Sequence, residues 1–150
     1  MTRLTNYIEL LLSELSPISL VGSTQSYRWF EENATIKISL GRQKGHTTAL
    51  VALANNYYNN LFGHAKQVER GAVLFIVPTD AHKRYIEKEY PLHVRINIYT
   101  YDDIENNKSN GANYNLVLID CSGKPMPKKE IMAKIYNSCR VGTKIVIAQM

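Results

Sequence analysis

Cysteine is scarce: two thiols in 150 residues, Cys121 and Cys139, are too few for a disulfide framework, and neither sits in the spacing of a metal-binding cluster. Both read as reduced thiols, Cys121 at the end of a strand and Cys139 at the end of a helix. Long apolar runs are missing as well. No stretch approaches the length of about 20 residues that a bilayer requires, which argues against membrane insertion. The segment Met1 to Leu15 alternates polar and apolar residues and lacks the continuous apolar core and cleavage site of a secretion signal. The resulting expectation is a cytoplasmic protein, in the host cytoplasm if the chain is viral. No internal repeat is present, and the polar stretch Asp102 to Gly111 is the one biased segment, expected as a mobile surface loop.

What is present is an ordinary globular composition, with 45% hydrophobic and 21% charged residues. A formal charge of +5 is compatible with DNA or RNA but is too small to demand it. The basic residues form one modest cluster at Lys124, Lys128, Lys129 and Lys134, a weak candidate for nucleic-acid contact, and another at His82, Lys83 and Arg84. A solvated helix face explains either cluster more often than a nucleic-acid site does. The length suits one domain, read as residues 35–150. Residues 1–34 are then an N-terminal helix from Thr5 to about Leu15, followed by an aromatic connecting segment that includes Tyr27, Trp29 and Phe30.

From residue 35 strands and helices alternate. Strands are expected at 35–40, 72–77, 93–99, 115–120 and 144–148. Helices are expected from His46 to about Leu61, from the Thr79 or Asp80 cap to about Tyr90, and from Pro127 to Cys139. The run from Asp102 to Tyr114 reads as a polar loop. Continuous apolar strands such as Val73 to Val77 belong to a parallel sheet covered on both faces. The fold class is therefore α/β, a mostly parallel five-stranded sheet with helices on both sides.

The segment Gly41-Arg42-Gln43-Lys44-Gly45-His46-Thr47-Thr48 joins the first of these strands to a helix. Glycines bound the turn and hydroxyls open the helix, an arrangement in which backbone N–H groups converge on a phosphate. The usual pattern is G-x-x-x-x-G-K-[ST], with lysine on the β and γ phosphates and the hydroxyl on magnesium. Here Gly45 and Thr47 keep their places, His46 replaces the lysine, and Gly41 stands one residue late. A second element is Leu116 to Asp120, an apolar strand that delivers a carboxylate at its C-terminal end, where parallel sheets bind ligands. Asp120 could hold magnesium through water, with Thr47 as the hydroxyl on the same ion. Hydrolysis lacks two of its parts. Imidazole is shorter than a lysine chain and mostly neutral at neutral pH. No glutamate follows Asp120 to orient water, since Cys121, Ser122 and Gly123 come next.

These residues resemble the GRQxGKTT loop of viral terminase ATPases and of helicases with RecA-like lobes, broken at His46. Val73 to Thr79, Tyr114 to Asp120 and Gly142 to Ala148 are similar to further segments of the superfamily 2 helicase N-terminal lobe, in the same order. The resemblance covers residues 35–150 and implies a RecA-like P-loop lobe. It implies ATP or another nucleoside triphosphate with Mg2+ at Gly41 to Thr48 and Asp120, and a role in nucleic-acid metabolism, phage metabolism included. A helicase needs a second lobe, so motor activity would require a protein partner to supply it. The expectation is a nucleotide-binding lobe with impaired or absent hydrolysis. The alternative is a pseudo-ATPase module that binds a protein partner or nucleic acid without nucleotide, and the ten tyrosines suit such an interface.

Overall fold

The computed structural model describes residues 35–39, 45–62, 73–92, 96–108, 114–121 and 123–149. The helix and aromatic segment expected in residues 1–34 and the loop residues Gly41 to Lys44 lie outside them.

Among the described residues nine elements follow in order: β1 (Thr35–Ser39), α1 (His46–Phe62), β2 (Val73–Val77), α2 (Asp80–Glu89), β3 (Ile96–Thr100), α3 (Tyr101–Glu105), β4 (Tyr114–Asp120), α4 (Lys129–Asn137) and β5 (Cys139–Gln149). The five strands form one sheet in the order β1-β5-β4-β2-β3, and every neighbouring pair is parallel. This is the α/β class expected from the apolar strands.

Each strand sends alternate residues to opposite faces, and the core divides accordingly. On one face Val73, Phe75, Leu116, Leu118 and Val146 pack with Leu50 and Leu53 of α1 and Ile86 of α2. On the other, Leu74, Ile76, Val117, Ile119 and Ile147 pack with Ile104 of α3 and with Ile131, Met132, Ile135 and Tyr136 of α4. Both faces of β2 are thus dry, which is why its five residues are all apolar and all buried. Among the described residues no helix is long and apolar enough to cross a membrane.

Two expectations are corrected. The polar run after Thr100 begins with a helix, α3, where a loop was expected. Thr100 Oγ1 accepts from the Asp103 N–H at 3.1 Å and Asp103 Oδ2 accepts from the Thr100 N–H at 3.0 Å. This reciprocal capping box starts the helix, and Ile104, 2% exposed, anchors it on the core. The last strand is also longer than Lys144 to Ala148. Cys139 opens it, paired with Tyr114 across an irregularity in the β4 register, and α4 ends at Asn137 with Ser138 as its cap. Thr143 Oγ1 donates to the Tyr114 carbonyl at 2.5 Å, satisfying a polar group where the ladder is broken.

Candidate functional site

The carboxyl ends of β1, β2 and β4 feed the starts of α1 and α2 and the loop after Asp120. Gly45 precedes α1 with φ at +75°, a left-handed conformation that glycine adopts without steric cost. A Cβ placed there would meet nothing within 4 Å, so the space above this turn is open. The Gly45 carbonyl accepts from the Ala49 N–H at 2.9 Å and closes the first turn of α1. The amides before Ala49 have no acceptor inside the helix.

His46 is the first residue of α1 and is 8% exposed. Its Nε2 is buried and has no hydrogen-bond partner among the described residues. A buried nitrogen in that state costs stability until something bonds to it. Thr47, next in the chain, donates its hydroxyl proton to Asp120 Oδ2 at 2.5 Å. Asp120 is 1% exposed. The strands leading to these two residues are not neighbours, since β5 lies between β1 and β4. They meet because α1 packs against β4.

His82, in the first turn of α2, faces the same carboxylate, with Nε2 3.4 Å from Asp120 Oδ2. It is placed by two features. Thr79 caps α2, its hydroxyl accepting from the His82 N–H at 3.2 Å, and β2 lies beside β4 with Ile76 opposite Ile119. The contacts continue outward. The His82 and Tyr85 rings lie 6.3 Å apart, Tyr85 meets Tyr90 edge to face at 6.3 Å, and the Tyr90 and Thr48 hydroxyls are 2.9 Å apart. Thr47, Asp120, His82, Tyr85, Tyr90 and Thr48 thereby form a closed ring of contacts between α1 and α2.

Below Asp120 the chain is fixed by Tyr101, whose hydroxyl donates to the Pro125 carbonyl at 3.1 Å. Burial pushes the Tyr101 hydroxyl up from its ordinary value. Burial also raises the Cys121 thiol, the neighbouring Tyr101 hydroxyl opposes this, and the Asp120 carboxylate adds to it. A thiol held protonated in this way is a poor nucleophile.

Of the residues singled out in the sequence, the structure brings Gly45, His46, Thr47 and Thr48 to one corner with Asp120. Gly41, Arg42, Gln43 and Lys44 lie outside the described residues. Lys124, Lys128 and Lys129 are exposed on the approach to α4, whereas the Lys134 ammonium donates to the Glu105 carbonyl, tying α4 to α3. His82 had stood out only as part of a basic cluster. Its signal was an imidazole in the first turn of a helix after a buried strand, and its relation to Asp120 depends on strand order.

The fit to a phosphate and to a metal ion differs. Open space over Gly45 and an unbonded His46 Nε2 suit a phosphate. Thr47 and Asp120 offer oxygen donors suited to magnesium, but His82 brings nitrogen to the same carboxylate oxygen. Among the described residues no three His, Cys, Asp or Glu side chains gather as a metal-binding cluster. No protein-family model matches the chain, and no curated protein matches it.

Proposed function

We propose that this chain is a RecA-like lobe that takes the phosphate end of a nucleoside triphosphate at Gly45 to Thr48, hydrolyses it poorly or not at all, and serves nucleic-acid metabolism. The observation that carries this reading is the buried Nε2 of His46, at the start of a helix and without a hydrogen-bond partner among the described residues. A phosphate oxygen there would accept from Nε2 and from the free amides of the first turn, in the field of the helix dipole. The loop pattern and the order of the strand segments support the nucleotide over a simple anion. The missing lysine and the missing glutamate support weak turnover, because developing charge on the phosphoryl group would go unmatched.

Calorimetric titration of the full chain with ATP tests it. The wild type binds, Gly45→Arg abolishes binding by filling the open turn, and His46→Lys tightens binding while ATP turnover stays low. Absence of ATP binding by both the wild type and His46→Lys would remove the nucleotide reading.

A second reading, a lobe that engages a protein partner without nucleotide, draws on Tyr85, a large side chain 52% exposed beside the site. Tyrosine is favoured at interfaces. Capture of one specific partner, unaffected by ATP and lost in Tyr85→Ala, would support it.

A further inference from the structure

Asp120 is a buried carboxylate, and a buried charge is tolerated only where partners meet it. Its Oδ2 receives the Thr47 hydroxyl at 2.5 Å and faces His82 Nε2 at 3.4 Å. We infer that His82 occupies the position a divalent cation would take on this carboxylate, so that the site holds its phosphate ligand without magnesium. The inference rests on the phosphate-binding reading and names the ligand state of that same site: the metal-free nucleotide.

Magnesium bonds oxygen at about 2.0–2.1 Å, demands near-octahedral placement and prefers to keep its waters. An ion approaching Oδ2 between the carboxylate and the imidazole, across a gap of 3.4 Å, would have to accept Nε2 as a ligand. Imidazole suits zinc, copper and nickel, while magnesium favours carboxylate, carbonyl and water. Magnesium must therefore displace His82 or forgo Oδ2. Displacement is resisted, because the His82 backbone is anchored by the Thr79 cap, the ring lies beside Tyr85, and the side chain is only 20% exposed. As a donor the imidazole satisfies the carboxylate directly. The phosphate is left to His46 and the helix amides, which need no metal.

The test is ATP binding by the full chain in the presence of magnesium and in EDTA. For the wild type the affinities agree within about twofold. His82→Ala opens Oδ2, and its ATP affinity becomes dependent on magnesium by about tenfold. His82→Gln, which restores an N–H donor, returns to the wild-type pattern and guards against a folding defect in the alanine variant. Wild-type binding that requires magnesium, or that is strengthened by zinc through His82, overturns this inference and leaves the phosphate site standing. Failure of ATP to bind in either condition overturns both readings together.

Discussion

Thr47 and Asp120 are separated by 73 positions in the chain and by 2.5 Å in space. The contact welds the start of the first helix to the end of a central strand, so its loss is felt in stability as well as in ligand binding. Thr47→Val keeps the side-chain shape and removes the donor to a buried carboxylate, at a cost of about 1–3 kcal/mol. Urea denaturation of the two proteins checks this, and equal midpoints would show the bond to be unimportant.

Gly45 separates conformational strain from steric filling. With φ at +75° and an empty surround, Gly45→Ala meets only the backbone penalty of a left-handed residue, about 1–2 kcal/mol. The thermal midpoint should fall modestly while the fold persists by circular dichroism. A collapse of the fold would mean that the turn is crowded.

The short helix α3 depends on its cap and its anchor. Thr100→Ala removes the hydroxyl that accepts from the Asp103 N–H, leaves the bond from the Thr100 backbone N–H to Asp103 Oδ2 in place, and should cost about 1 kcal/mol. Ile104→Ala opens a gap against the core and should cost about 2–4 kcal/mol. Denaturant titrations measure both, and a larger loss at Thr100 than at Ile104 would reverse the proposed division between cap and core.

The thiols give a pH prediction. Burial raises Cys139 from 9.0 to about 12, and its Sγ donates to the Ile135 carbonyl at 3.2 Å. The folded chain keeps a proton that the unfolded chain releases from pH 9.0 upward. The stability tied to that proton is complete below this point and is lost as the pH climbs toward about 12, because the unfolded state binds fewer protons there. In mildly alkaline buffer Cys121 and Cys139 should resist a disulfide reagent until denaturant is added. Cys139→Ala should flatten the alkaline fall in stability.

The architecture was largely legible in the residues. Unbroken apolar strands such as Val73 to Val77, and helices with apolar residues at helical spacing, follow from burial on both faces of a sheet. The helix α3 was hidden because Ile104 is its one fully buried residue, with Tyr101 packed partly against the same core, and two such residues in a polar run set no period. The β5 start at Cys139 was hidden because its pairing with Tyr114 is long-range. At the site, Gly45, Thr47 and Asp120 could be named from local patterns. His82 could not be joined to them, since its place depends on β2 lying next to β4, and sequence order does not announce that neighbour.

The closed circuit from Thr47 through Asp120, His82, Tyr85 and Tyr90 back to Thr48 has a mechanical consequence. The circuit holds the first turn of α1 at Thr47 and Thr48 and the two ends of α2 at His82 and Tyr90, so a disturbance of the acid in the middle is passed toward the tyrosines on the rim. Those phenol rings are therefore built-in gauges of the corner, and their resonances would move whenever anything settles on the glycine turn.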